Sequence, residues 1–173
     1  MKHLKPSPST VHIGFYDGAL KPVLEIDSGE EIVLDSISAH VDDDVPADWI
    51  PKVTRELQER APRGPGPHAM TGPVAVRGAK PGDVLQVDIR DIRLTQPYGY
   101  NEIIPLKGMF PADTPAFRRT IMPIDLKTGL AEVAPGVKIP TQPFFGQLAV
   151  APPRSWGQID TRPPNKFGGN LDN

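Results

Sequence analysis

The sequence predicts a mainly β fold, a β-sandwich or distorted barrel with one short helical insertion, and three observations predict it. Proline and glycine, 22 and 16 of 173 residues, interrupt the chain too often for long helices. The apolar runs between them are short, and several alternate at the two-residue period of a half-buried strand. Only residues 47–60 carry the wider period of an amphipathic helix. A chain of 173 residues reads as one β-rich domain, able to bury roughly 70% of its unfolded surface.

The elements follow in chain order. Thr10 to Phe15 alternates Val11, Ile13 and Phe15, and Glu31 to Ser38 alternates around Ile32 and Leu34. In the helical segment, Trp49, Val53 and Leu57 recur at four-residue spacing. Lys52, Arg55, Glu56 and Glu59 take the other face. Asp48 is placed to cap it, Pro51 falls in its first turn, and Pro62 with Gly64 ends it. Arg63-Gly64-Pro65-Gly66-Pro67 is a loop. Val74-Ala75-Val76 leads into a Pro81-Gly82 reversal. Val84 to Leu94 then alternates Leu85, Val87 and Ile89 against Gln86, Asp88 and Arg90, the clearest half-buried strand pattern in the chain. Phe145 to Val150 is a further short strand. No internal repeat is present.

Composition excludes several functions. A net charge of −2 provides no basic field to steer nucleic acid or an anionic membrane. No apolar run approaches the roughly 20 residues that span a bilayer, and no secretory signal follows Met1. The absence of cysteine removes disulfides, thiolate nucleophiles and cysteine-ligated zinc, and a cytoplasmic protein is expected. The sequence has no Gly-x-Ser-x-Gly, phosphate loop or Rossmann glycine pattern.

Several residues remain as candidates. His68 stands on a Pro/Gly-framed loop, where an imidazole is held stiffly enough to be a ligand or base; a surface loop histidine is the plain alternative. Asp35 is in phase with apolar strand residues, so it reads equally as a functional carboxylate or a hydrogen-bonded strand end. His40 and Asp42 to Asp44 offer metal donors but read first as a solvated acidic turn. His3 lies at a frayed terminus, and His12 is structural within its strand. Tyr98-Gly99-Tyr100-Asn101 reads as a hairpin or strand-end turn with core tyrosines that can also wall a site. After a Gly168-Gly169 turn, Asn170 and Asp172 point to one side if that segment is extended, where they can hold a metal or an amide.

Taken in order, these motifs resemble a known family. They are the run from His68-Ala69-Met70-Thr71-Gly72-Pro73 through Val74-Ala75-Val76-Arg77-Gly78-Ala79-Lys80-Pro81-Gly82-Asp83-Val84-Leu85, then Tyr98-Gly99-Tyr100-Asn101. Pro143-Phe144-Phe145-Gly146, Ala151-Pro152-Pro153 and Gly168-Gly169-Asn170-Leu171-Asp172-Asn173 complete the set. The chain resembles the acetamidase/formamidase family from Val11 to its last residue. The resemblance implies a β-rich fold and hydrolysis of short aliphatic amides, formamide or acetamide, to the acid and ammonia. It also implies a homo-oligomer and a divalent metal, zinc or calcium, with no organic cofactor. On that reading His68 and Asp35 are the catalytic candidates, and Asn170, Tyr98 and Asn101 the substrate-binding ones. His68 and Asp172 are the metal ligands.

Two departures qualify what carries over. Ser38-Ala39-His40 stands where many relatives have Ser-Gly-Gly. Family members also resemble a chain of about twice this size, and their Gly-Asp-Gly-His and Gln-Gly-Asp-Gly-Glu stretch has no match here. The expectation is the N-terminal part of an amidase whose site is completed by a C-terminal half or by another chain. The alternative is a non-catalytic β-sandwich binding module derived from the family.

Overall fold

Glycine and proline set the strand lengths. The computed structural model describes residues 1–38, 40 and 43–170. Among these the first elements are β1 (Lys2–Leu4), β2 (Val11–Ile13), β3 (Phe15–Tyr16), β4 (Leu24–Ile26), β5 (Ile32–Leu34), α1 (Val53–Arg60), β6 (Ala69–Thr71) and β7 (Val74–Val76). Then come β8 (Tyr98–Ile103), β9 (Arg118–Asp125), β10 (Leu130–Ala134), β11 (Val137–Pro140), β12 (Gln147–Ala149), β13 (Ile159–Asp160) and β14 (Gly168–Asn170). The fold is mainly β with one α-helix among the described residues, as the sequence predicts. No helix among them is long and apolar enough to cross a membrane. Two compact units divide the chain, residues 1–41, 52–88 and 145–173 in the first and residues 42–51 and 89–144 in the second.

The first unit is built from two-stranded ladders. β1 pairs β5 and β4 pairs β7 in parallel, while β2–β6, β3–β13 and β12–β14 are antiparallel. Its core gathers Val11 and Ile13 of β2 with Ile37, Leu57 and Ala61, flanked by Val53 and Ala69. The strand expected over Thr10–Phe15 breaks at Gly14, whose φ of 83° suits only glycine without strain. Helix α1 turns Leu57 inward and keeps Glu56 and Arg60 outward as an i,i+4 ion pair. It starts later than the sequence pattern suggests. Residues 47–49 form a separate 3₁₀ turn, and Ile50 is extended at φ −85°, ψ 122°. Proline at 51 disfavours helical backbone at the residue before it, which splits the predicted segment.

The second unit is an antiparallel meander in the order β11-β10-β9-β8. Tyr98 to Ile103 pairs residue by residue with Pro123 to Arg118. The β9–β10 reversal is pinned by Asp125, whose carboxylate accepts the Lys127 amide at 2.8 Å, and by Gly129 at φ 69°. Tyr98 is buried, stacks on Trp49 at 6.0 Å and donates its hydroxyl to Asp43 at 2.7 Å.

Five further readings change. The segment Val84–Leu94 forms no strand, because no strand pairs with it among the described residues, and Leu85, Val87 and Ile89 stay about half exposed. Tyr98 to Ile103 is a strand, since β9 supplies the partner that a turn would lack. The Gly168-Gly169 pair lies in β14, held against β12, and the turn precedes it, closed by Gly168 N–H on Asn165 O at 2.9 Å. His3 is fixed in β1 by the β5 ladder, so this terminus is not frayed. Asp43 is no solvated acid: its side chain is fully buried, with Tyr98 and Arg119 bound to its two oxygens.

Candidate active site

His68 is positioned by a backbone zipper that the proline-glycine loop makes possible. Ile13 N–H donates to Pro62 O at 2.8 Å, Gly64 N–H to Ile13 O at 2.8 Å, Gly66 N–H to Gly14 O at 2.7 Å and Gly14 N–H to His68 O at 2.8 Å. The loop therefore runs alongside β2 and its Gly14 extension as an extra, irregular strand. The contact is too tight for side chains. A Cβ on Gly66 would lie 2.7 Å from Gly14 O and 2.8 Å from Asp160 Oδ1, well inside van der Waals contact. Glycine at this position is a packing requirement.

The zipper delivers the imidazole to β13. His68 Nδ1 lies 2.9 Å from the hydroxyl of Thr161, which is wholly buried. Burial holds the His68 pKa below its usual value; the neighbouring Arg162 cation pushes the same way, and Asp160 opposes it. Together these favour the neutral ring. Arg162 is itself placed by Asp160 at 2.6 Å and by Pro65 O at 3.1 Å.

A second chain of polar contacts reaches Arg162. Tyr16 donates to Gln147 Oε1, Gln147 Nε2 donates to Asn170 Oδ1 at 2.9 Å, and Asn170 Nδ2 donates to Arg162 O at 2.9 Å. Burial raises the Tyr16 pKa, so its phenol remains a donor. Gln147 and Asn170 face one another because Gln147 and Asn170 are register partners in the β12–β14 ladder.

The sequence candidates separate accordingly. His68 and Asn170 converge on Asp160-Thr161-Arg162 in the first unit. Asp35, also in that unit, binds His3 Nε2 at 2.9 Å, and no contact joins it to His68 among the described residues. Tyr98 and Asn101 belong to the second unit, where Tyr98 is engaged with Asp43, and Asn101 is exposed opposite Thr120. Asp172 lies outside the described residues. His40 bonds Gln58 at 3.3 Å. Among the described residues no three His, Asp or Glu side chains converge, so these residues do not by themselves fit a zinc or calcium site. Sequence reasoning missed Thr161, Arg162 and Gln147. A lone threonine after a two-residue strand has no signal of its own, although Asp160-Thr161-Arg162 between two proline-rich stretches is the kind of short polar motif that merits inspection.

The profile of the Acetamidase/Formamidase family matches residues 11–162. The chain belongs to that family. The matched stretch contains the loop zipper, His68, Thr161 and Arg162, while Asn170 lies just beyond it. A Schizosaccharomyces pombe protein named "Putative formamidase C869.04" is 30% identical over 90 residues, covering 49% of this chain and 22% of the yeast protein. Among solved structures, a "predicted acetamidase/formamidase" from Thermoanaerobacter tengcongensis superposes with a TM-score of 0.71 at 24% identity. An acetamidase from Bacillus halodurans does so with 0.67 at 22%. Each alignment covers 98% of this chain and 52% of the other, so the chain spans about half the length of these structures. At these identities the structures establish the shared fold.

Proposed function

We propose that this chain contributes to hydrolysis of the carbon–nitrogen bond of a short aliphatic amide, formamide or acetamide, with His68 as its acid–base group. The observation that carries this is the imidazole held through Nδ1 by a buried hydroxyl in a chain of the acetamidase/formamidase family. In the tautomer that donates Nδ1–H to Thr161, Nε2 keeps its lone pair and takes a proton from the attacking water. The imidazolium so formed then gives a proton to the departing nitrogen, because ammonia leaves and amide anion does not. A base must be unprotonated at the working pH, and burial with Arg162 shifts the ring in that direction.

Asn170 is spent on Gln147 and Arg162 O and acts first as a brace for the strand end carrying Thr161. The expected second ligand Asp172 and the divalent metal belong to this proposal, but no step is derived through a metal from residues that do not complete its donor set. The remainder of the site comes from the second half of the family polypeptide, in the same chain or another, and the assembly is a soluble cytoplasmic oligomer.

The test is ammonia release from formamide and acetamide by this chain co-expressed with a second half, compared with the chain alone. Expected are turnover only in the combined protein and a loss of at least about tenfold in kcat/KM for His68→Ala, or about 1.4 kcal/mol of transition-state stabilisation. Unchanged kinetics in that variant remove His68 from the chemistry. Turnover by the purified chain alone, abolished by a chelator, contradicts the need for a second half. An inactive combined protein that still binds amides favours the binding-module reading.

A further inference from the structure

The clearest strand pattern in the sequence has no strand partner among the described residues. Leu85, Val87 and Ile89 are 52%, 49% and 51% exposed, and Val84 is 95% exposed. The intervening Gln86, Asp88 and Arg90 are exposed too. No strand ladder includes residues 84–95 among the described residues. A single exposed leucine means little. Three β-branched or aliphatic side chains at strict two-residue spacing are a different matter: on an extended strand they share one face, and their polar neighbours share the other. That pattern has a use only where something covers the apolar face.

The lengths of the matched proteins indicate the occupant. This chain aligns over 98% of its residues with each solved relative yet fills only 52% of either, so those proteins carry nearly as much polypeptide again with no counterpart here. We propose that residues 84–94 are a docking strand for that second part of a family polypeptide. It lays a β-strand alongside, takes up the unpaired backbone N–H and C=O groups and covers Leu85, Val87 and Ile89. Such strand addition draws affinity from the backbone and specificity from alternate side chains. The inference rests on the reading that a second half completes the site, and it names the surface that half uses.

The chain contains no cysteine, so single cysteines report cleanly. Leu85→Cys, Gln86→Cys, Val87→Cys, Asp88→Cys and Ile89→Cys are labelled with a maleimide and read by mass spectrometry. Each is measured alone and co-expressed with the part of the Thermoanaerobacter protein that this chain does not match. All five should react similarly in the chain alone. In the complex, positions 85, 87 and 89 should slow at least about tenfold while 86 and 88 stay within about twofold, as alternate burial requires. No complex, or equal reactivity at all five positions within it, overturns the proposal. Alternating protection in the chain alone that rises with its concentration assigns the surface to a second copy and also overturns it. Ammonia release by the unsubstituted complex separates the two readings. Hydrolysis without alternation leaves the amidase standing and removes the docking strand, whereas alternation without hydrolysis does the reverse.

Discussion

Tyr98→Phe distinguishes a structural phenol from a substrate contact. The hydroxyl donates at 2.7 Å to Asp43 Oδ2, and the other oxygen of this carboxylate accepts Arg119 Nη1 at 2.9 Å. The tyrosine is only 5% exposed, and the Asp43 side chain not at all. Burial and the adjacent carboxylate push the phenol well above its usual pKa, so it stays a donor at all ordinary pH values. Phenylalanine keeps the ring and its stacking on Trp49 and removes one hydrogen bond to a charged acceptor, which contributes about 1.5–3 kcal/mol when buried. Arg119 remains on the carboxylate, so the loss should fall near 2 kcal/mol rather than at the 3–5 kcal/mol of a broken buried ion pair. For a chain of this size, the melting temperature should drop by about 4–8 °C. Urea unfolding followed by tryptophan emission is the natural assay, since Trp49 lies against the altered ring. A substrate-binding phenol would give the opposite pattern, with KM raised in the combined enzyme and stability unchanged. A shift below about 0.5 kcal/mol, the size of an ordinary surface substitution, would refute the structural account.

Other perturbations address the first unit. Gly66→Ala drives a methyl into Thr161, Asp160 and the Gly14 carbonyl; it should cost about 1–3 kcal/mol and release His68, whose NMR titration should then move up toward its usual value. Gln147→Leu strands the buried Tyr16 hydroxyl and Asn170 Oδ1, and a thermal melt should show a loss of about 1–3 kcal/mol. Stability should also depend on pH through His12 and His68, both of which burial holds below the usual 6.5. The unfolded chain binds their protons first, so stability is full above 6.5, falls as pH drops below it and levels off beneath the lowered folded values. Melting curves between pH 5 and 8 on the native chain, His12→Gln and His68→Gln check this, and a slope unchanged in both variants contradicts it.

What was legible in the sequence was what local chemistry controls. Period-two alternation located β2 and β5, and four-residue spacing located α1, because these signals depend on neighbours within a few residues. The same signal placed a strand at Val84–Leu94, where pairing depends on polypeptide far away or elsewhere. The β9–β11 meander went unread although Arg118 to Asp125 has strand character, since Pro123 within it reads as a breaker; in the structure its position opposite Tyr98 accommodates it. Asp43 illustrates the limit most clearly. Three consecutive acids look solvated, yet Tyr98 and Arg119, 55 and 76 residues away, make one of them a buried anchor. At the candidate site, His68 was legible from its loop, but Thr161 was not, because 93 residues separate the two.

The three residues Asp160-Thr161-Arg162 explain why His68 can be held so closely by so little structure. β13 contributes only two ladder positions against β3, too few to fix a side chain unaided. Each of the three residues is therefore tied from a different direction: Asp160 to the Arg162 guanidinium, Thr161 to the imidazole, and the Arg162 carbonyl to the Asn170 amide. The Arg162 cation has a further effect that packing alone would not require, since it disfavours protonation of the ring beside it. A neutral, oriented imidazole is what a general base needs, and it is equally what a metal requires of a histidine ligand. Both roles would use Nε2 once Nδ1 is committed to Thr161. The geometry thus narrows the question of mechanism to one atom, and what approaches Nε2 of His68 in the assembled protein decides between them.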